Sequence, residues 1–229
     1  MRYGIDTLSD ASQNIQSEEI KDDVDIESLI RPYRNEVELE MNEILCISEK
    51  SMIRSRPESA LGNFVSDLCL QRAREISSVP IDCALFNYGG LRAALPEGDI
   101  SRGKIFELMP FESELVVVEI PHTAMQNMFD YLAFTGGEPL SEINLKIQDG
   151  AVLEARVQGQ KLEKRTYRVL TSDYLAGGGD KMVFLTDSER VSIEKLGLKI
   201  RDAILEHCIE IGANNERINK QLDGRIIME

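Results

Sequence analysis

The sequence of 229 residues has no tryptophan and only two histidines, His122 and His207. A dinuclear hydrolytic metal centre needs several imidazole and carboxylate ligands clustered around two ions. Two isolated histidines, outside any H-x-H or D-x-H pair, do not supply that set. The sequence therefore predicts no metal site, no cofactor and no catalytic residue in this chain.

Cysteines and long apolar runs are also scarce. The four cysteines form no C-x-x-C pattern, so neither a zinc site nor a small disulfide scaffold is expected. No apolar run approaches the roughly 20 residues of a membrane-spanning helix. The first residues, MRYGIDTLSD, lack the apolar segment of a signal peptide. We therefore expect no transmembrane segment and no export signal in the sequence as it stands.

Positive charge is in deficit. The chain has 26 Lys and Arg against 40 Asp and Glu, a net charge of −14. Nucleic-acid-binding proteins present a basic face to the phosphates, so this balance argues against nucleic acid as a partner. It argues equally against an anionic membrane surface. Any phosphate-bearing ligand is expected to be small and held by a few local arginines.

Polar composition and hydrophobic spacing predict an acidic arm over residues 1–27 and a domain over 28–229. Apolar spacing of three and four predicts helices over 25–44, 58–76, 101–109, 121–134 and 196–211. Apolar or alternating runs predict strands within 79–87 and over 114–120, 143–147, 151–157, 166–172, 191–193 and 225–228. These elements predict an α+β fold, in which flanking helices cover one main mixed sheet.

The segment Asn87-Tyr88-Gly89-Gly90-Leu91-Arg92 follows a predicted buried strand. Its paired glycines, Gly89 and Gly90, would let a ligand approach the backbone. The guanidinium of Arg92 could fork onto a phosphate or carboxylate. By spacing alone, a tight turn with a solvated arginine is the favoured interpretation of this segment.

Two further segments place an aromatic residue beside proline or glycine. Phe111 follows Met109-Pro110, although a lone phenylalanine also fits a core position. Tyr174 and Asp180 stand on either side of three consecutive glycines at a strand end, which favours a ligand-binding loop over a plain connection. No Lys-Ser/Thr pair follows these glycines, so the segment is not a P-loop.

A fourth segment lies at the predicted start of the second helix. Arg54 and Arg56 flank Ser55, and Ser55 or Ser59 could cap the helix. A helix N-terminus favours an anion, so both arginines are candidates for binding one. The alternative is that both are solvated.

In this order, the four segments resemble the C-terminal domain of the 5′-nucleotidase family. The matching motifs are R-x-E-S-x-L-G-N-F-V-S-D at 56–67, N-x-G-G-L-R at 87–92, M-P-F at 109–111 and Y-R-V-L-T-S-D-Y-L-A-G-G-G-D at 167–180. Each motif is weak alone, but all four in the right order are specific. The likeness extends from about residue 35 to the C-terminus.

The resemblance implies a fold and a nucleotide-binding role. In full-length members an N-terminal metallophosphatase domain holds two metal ions, and the C-terminal domain recognises the nucleotide. Phe111 and Tyr174 would stack on the two faces of the base, an arrangement that tolerates any base. By the same resemblance Asn87 would bond the base, Asp180 the ribose hydroxyls and Arg92 the phosphate.

Two departures from the family pattern stand out. Ser55 occupies the position of a phosphate-binding arginine, so Arg54 and Arg56 are the two candidates to replace it. The metallophosphatase domain is not in this sequence, and without its metals no water is activated for hydrolysis. Divalent metals are therefore expected only on a partner.

Four functional interpretations remain. The favoured one is the substrate-recognition part of a 5′-nucleotidase whose metallophosphatase is a separate subunit, with this chain inactive alone. The alternative is a self-sufficient nucleoside- or nucleotide-binding module with no hydrolytic role. A hydrolase in its own right is disfavoured by the histidine count, and an inert protein by the residues kept at the motif positions. Because family members are usually exported, we expect the cell envelope or periplasm.

Overall fold

The computed structural model describes residues 23–186 and 188–229, which divide into two units at residues 40 and 41. The described part of the first unit, residues 23–40, is almost entirely helix α1, Val24–Met41, whose last residue belongs to the second unit. Its apolar residues recur at three- and four-residue spacing, as the sequence predicts. Most of the predicted acidic arm, residues 1–22, lies outside the described residues, so the predicted boundary at residue 27 stays a prediction.

The second unit contains five helices and twelve strands among its described residues. The helices are α2 Ala60–Ile76, α3 Arg102–Leu108, α4 His122–Thr135, α5 Asp173–Ala176 and α6 Ile200–Ala213. The strands are β1 Ile44–Ser48, β2 Cys83–Leu85, β3 Gly98–Ser101, β4 Glu114–Ile120, β5 Leu140–Ser141, β6 Ile143–Gln148, β7 Ala151–Val157, β8 Gln160–Lys161, β9 Tyr167–Ser172, β10 Ser192–Lys199, β11 Arg217–Ile218 and β12 Ile226–Met228.

The strands form three sheets. The largest has the order β10-β4-β9-β2-β5, in which β2 runs parallel to β9 while β4 runs antiparallel to both β9 and β10. The other two have the orders β11-β1-β3 and β12-β6-β7-β8. The α+β class is confirmed. The predicted mixed sheet is the five-stranded one, and the remaining strands pair into two smaller sheets that the sequence did not indicate.

The interior strand β4 of the five-stranded sheet is covered on both faces, which explains its apolar run. Leu115 and Val117 face a core shared with α2, α3 and α6. Val116, Val118 and Ile120 face a second core, formed with α4 and β6. Because successive strand residues point to opposite faces, a strand covered on both sides has no polar alternation.

Two predicted helices are longer than the structure allows. The first ends at Met41, because Ile44 begins β1 and pairs with Ser101 of β3. The last begins at Ile200, because Leu196 and Leu198 belong to β10 and pack against the first core. Alternate burial, the pattern of a strand, explains these two leucines. The other predicted helices and strands are confirmed with small shifts at their ends, except that the strand predicted over 191–193 continues to Lys199 as β10.

The start of α2 shows what part of the first motif does. Ser59 caps the helix by accepting a hydrogen bond from the Gly62 N–H at 2.9 Å. Glu58 accepts the N–H groups of Asp223 and Gly224 at 2.9 and 3.1 Å. Ser59 therefore caps the helix locally, and Glu58 joins the start of α2 to the segment before β12.

Arg225 anchors the same segment from inside the protein. Its side chain is 8% exposed and donates to Asp67 of α2, to Asp223 and to the Leu140 carbonyl. Burial alone would raise the pKa of Asp67, but hydrogen bonds from Arg225, Lys220 and Ser141 hold it below its usual value. The hydrogen bond from Arg225 likewise lowers the pKa of Asp223. One arginine thus joins α2, β5 and the C-terminal segment.

We expect Arg225→Met to lower the free energy of unfolding by about 2–4 kcal/mol in urea titrations, because Asp67 and Asp223 lose their shared buried arginine, although Asp67 keeps Lys220 and Ser141. With both pKa values lowered, this stabilisation is complete above about pH 4 and is lost as the pH falls through the folded-state values. The difference between parent and variant should therefore shrink in acid. Arg165→Met, which breaks a more exposed pair with Asp82, is the control, at about 0–1 kcal/mol. Equal effects for both variants would contradict the prediction.

Candidate functional site

A cavity of about 360 Å³ lies at one end of the five-stranded sheet. The parallel strands β2 and β9 both end there, and the antiparallel β4 begins there. Loops that are distant in sequence therefore meet at this end. Seven of the nine predicted site residues line the cavity: Asn87, Gly89, Gly90, Arg92, Phe111, Tyr174 and Asp180.

The turn after β2 is a short 3₁₀ segment, Tyr88–Gly90. The Gly90 N–H donates to the Asn87 carbonyl at 3.1 Å. A Cβ on Gly90 would lie 2.7 Å from Asn87 Oδ1, closer than real side chains allow. The second glycine is therefore required for the asparagine side chain to lie across the turn.

Asp180 connects this turn to the glycine loop. Its Oδ2 accepts from Asn87 Nδ2 at 2.6 Å, and its Oδ1 accepts from the Tyr174 hydroxyl at 2.9 Å. The hydrogen bond to this carboxylate raises the pKa of Tyr174. The Tyr174 ring lies against Gly179, where a Cβ would overlap it. Three of the predicted site residues thus form one hydrogen-bonded group.

The two candidate stacking rings are half-exposed, Phe111 at 45% and Tyr174 at 52%. The guanidinium of Arg92 lies 5.9 Å from the centre of the Phe111 ring, and its Nη1 is 3.4 Å from the Gly89 carbonyl. Large aromatic rings are usually buried unless they contact a partner. A cavity with two such rings, an amide, a carboxylate and a guanidinium can hold a flat, polar-edged ligand.

The loop that carries Phe111 is fixed by Arg201 of α6. Arg201 Nη1 lies 3.4–3.5 Å from the carbonyl oxygens of Met109, Pro110 and Phe111, and its Nη2 pairs with Glu112. Its side chain is 8% exposed, so this contact is inside the protein. Nothing in the sequence indicated Arg201, because an arginine in an amphipathic helix is ordinarily solvated.

Arg54 and Arg56, the other two predicted site residues, do not line the cavity. Their guanidinium carbons lie 4.7 and 4.8 Å from the centre of the Tyr88 ring. Arg54 donates to the Leu91 carbonyl at 2.9 Å, and Arg56 donates to the Gly137 carbonyl at 2.9 Å. Arg54 therefore bonds the backbone of the 87–92 turn, and Arg56 bonds the backbone of the adjacent segment at Gly137. A direct contact of either with a phosphate stays a prediction.

Glu138, which the sequence did not indicate, stabilises the 87–92 turn. It is 6% exposed and accepts the Tyr88 N–H and Arg56 Nη2, each at 2.5 Å. Burial raises the pKa of Glu138, and these two donors oppose that shift. Nothing in the sequence marked the apolar lining of the cavity, because its members look like ordinary core residues: Val65, Phe86, Leu91, Met109 and Ile200.

Residues 23–186 and 188–229 contain no group of three or more His, Cys, Asp or Glu side chains that could hold a metal ion. His122 Nδ1 lies 2.8 Å from the Glu163 carbonyl, and His207 packs against Phe64. Burial lowers the pKa of His207. Within the same described residues, no helix has the length and hydropathy needed to cross a membrane.

A family model described as "5′-nucleotidase, C-terminal domain" matches residues 43–187. The chain is 26% identical over 217 residues to the trifunctional nucleotide phosphoesterase protein YfkN of Bacillus subtilis, covering 85% of this chain and 14% of that protein. It is 23% identical over 202 residues to the 5′-nucleotidase of Vibrio cholerae, covering 82% of this chain and 35% of that protein.

Solved structures share the fold at low identity. The 5′-nucleotidase precursor of Thermus thermophilus matches with a TM-score of 0.76 at 22% identity, over 88% of this chain and 42% of that one. A putative 5′-nucleotidase of Staphylococcus aureus matches with a TM-score of 0.70 at 16% identity, over 93% of this chain and 45% of that one. The chain thus spans less than half the length of each of these relatives.

Proposed function

The chain belongs to the family of 5′-nucleotidase C-terminal domains, and on this premise we propose that its cavity recognises nucleosides and nucleotides as the substrate-binding part of a 5′-nucleotidase. The observation that carries the proposal is the pair of half-exposed rings, Phe111 and Tyr174, on one cavity with Asn87 and Asp180. A nucleoside matches this set, because it has two flat faces and a hydroxyl-bearing sugar.

In this proposal each side chain has one task. Phe111 and Tyr174 stack on the base, whose π-faces are common to all bases. Asn87 bonds the edge of the base, and the Asp180 carboxylate accepts from the ribose hydroxyls. Arg92, exposed beside the bare Gly89-Gly90 turn, forks onto the phosphate.

The hydrolytic chemistry is proposed to come from a separate metallophosphatase subunit. A stacking cavity binds a substrate but supplies no activated water, and metal-bound water is what makes a nucleophile at neutral pH. The share of each relative that this chain spans leaves room for such a domain there. On family membership alone, we propose that this chain and the metallophosphatase subunit are located in the cell envelope or periplasm.

The second candidate is a binding module without any hydrolytic role. The hydrogen bonds among Asn87, Tyr174 and Asp180 favour it, because this group is assembled within one chain and recognition needs no second subunit. The two candidates differ in one result. Only the first candidate, the substrate-binding part of a 5′-nucleotidase, predicts a change when this chain is mixed with a metallophosphatase domain. Either AMP hydrolysis should appear, or the Michaelis constant for AMP should fall.

We expect Phe111→Ala and Tyr174→Ala each to weaken adenosine binding by about 5- to 150-fold, since base–aromatic stacking contributes roughly 1–3 kcal/mol. Isothermal titration calorimetry measures the change. Phe134→Ala is the matched control, because Phe134 is 88% exposed and does not line the cavity. If both ring variants bind adenosine like the parent, the base does not lie between these rings.

We expect Arg92→Ala to weaken AMP binding by about 1.5–3 kcal/mol, the contribution of hydrogen bonds to charged groups, while adenosine binding barely changes. Arg92→Lys should recover only part of the loss, because an ammonium lacks the planar fork. The loss should shrink as salt rises, since salt screens an exposed charge. Equal losses for AMP and adenosine would mean that Arg92 shapes the cavity and does not bind phosphate.

We expect the purified chain alone to leave AMP unhydrolysed, with or without Mn²⁺, Zn²⁺ or Mg²⁺, because metal-activated water needs clustered ligands and residues 23–186 and 188–229 hold no such cluster. A phosphate-release assay over hours measures this. His122→Ala and His207→Ala serve as controls for contaminating activity, which they would not alter. Turnover that survives repurification and falls in either variant would contradict the prediction.

A further inference from the structure

The backbone of Asp180 has a conformation that non-glycine residues rarely adopt. Its φ and ψ are 50° and 25°, and the next residue, Lys181, has φ 64°. Two successive side-chain-bearing residues in the left-handed region are strained by the contact of Cβ with the following carbonyl. Such strain persists only where surrounding contacts hold it, and it concentrates at ligand-binding segments.

Tyr131 of α4 provides such a contact. Its hydroxyl donates to the Asp180 carbonyl at 2.9 Å. Its ring packs on Phe184, with centroids 5.5 Å apart and planes at 60°. Burial, together with the negative charges of Glu138 and Asp180, raises the pKa of Tyr131 to about 12. The hydroxyl therefore keeps its proton, and can donate, throughout the neutral range.

The helix behind Tyr131 is a firm support. Met125, Met128, Phe129 and Leu132 of α4 are all at most 3% exposed and belong to the second core. A hydroxyl on this helix fixes the Asp180 peptide to the core. The other side chains that bond Asp180 are more exposed: Asn87 after β2, and Tyr174 of α5, whose hydroxyl also accepts the Asp180 N–H at 3.3 Å. A ligand that competes for the carboxylate would break those two contacts but leave the bond from Tyr131 intact.

We propose that Tyr131 is a positioning residue for sugar recognition, holding the Asp180 backbone so that its carboxylate meets the ribose hydroxyls. The inference rests on the proposed function for the identity of the ligand. It adds a residue on a different element, outside the lining of the cavity. Removing the hydroxyl should weaken recognition of the sugar and leave base stacking unchanged.

The first test compares two ligands. Tyr131→Phe removes the hydroxyl and keeps the ring on Phe184. By calorimetry, adenosine affinity should fall about three- to tenfold, as expected for one hydrogen bond, and 2′,3′-dideoxyadenosine affinity should change less than about twofold. The control is Tyr167→Phe, which removes a hydroxyl that donates to the Glu163 carbonyl at 3.1 Å and does not line the cavity.

The second test needs no ligand. The Met182 N–H donates to the Gly179 carbonyl at 3.0 Å in the loop that Tyr131 holds, and the Gly177 N–H donates to the Asp173 carbonyl at 3.0 Å just before it. In Tyr131→Phe, hydrogen exchange should speed up at Met182 by about threefold or more and stay the same at Gly177. Tyr167→Phe should alter neither amide.

The outcomes separate the inference from the proposed function. A loss confined to adenosine, with faster exchange at Met182, supports the inference. Equal losses for both nucleosides, unchanged adenosine affinity, or unchanged exchange at Met182 would each overturn it. If the parent binds neither nucleoside, the proposed function fails. In that case faster exchange at Met182 in Tyr131→Phe would still show that Tyr131 holds the loop, and unchanged exchange would show that it does not.

Discussion

The Asp180 carboxylate is the contact on which the rest of the site depends. It accepts hydrogen bonds from Asn87, after β2, and from Tyr174, after β9. These two strands pair in parallel, so their ends are neighbours although their last residues, Leu85 and Ser172, are 87 positions apart in the sequence. β4 pairs antiparallel with β9, which brings the start of β4 and the preceding Phe111 to the same end. The sheet topology therefore assembles the cavity, and one carboxylate joins its two loops.

Electrostatics explain why the cavity takes its ligand through short-range contacts. The chain carries a net charge of −14, which repels an anion at a distance. Arg54 and Arg56 are committed to backbone carbonyls and, for Arg56, to Glu138. Among the arginines predicted for the site, Arg92 alone lines the cavity. Under the proposed function, base stacking would therefore provide much of the affinity, and the phosphate would add discrimination.

The sequence predicted the parts of the molecule whose pattern is local. Runs such as 114–120 and 151–157 became strands, and glycines beside Asn87, Tyr174 and Asp180 marked the loops that meet at the cavity. Leu196 was assigned to a helix, because its spacing to Ile200 and Ile204 fits a helix as well as a strand. Tyr131, Glu138 and Arg201 act through contacts made only after folding, so no motif marked them. Arg54 and Arg56 stood out only as candidates for an anion at the start of α2, and the backbone carbonyls that they bond depend on the tertiary structure.

The central claim is that Phe111, Tyr174 and Asp180 together hold a nucleoside. A crystal structure of the chain grown with saturating adenosine tests it most directly. The account predicts the adenine ring between Phe111 and Tyr174, with a ribose hydroxyl about 2.5–3.0 Å from an Asp180 carboxylate oxygen, the ordinary O–H···O distance. Adenosine bound elsewhere, or a cavity without adenosine at a concentration that saturates binding in solution, would contradict it.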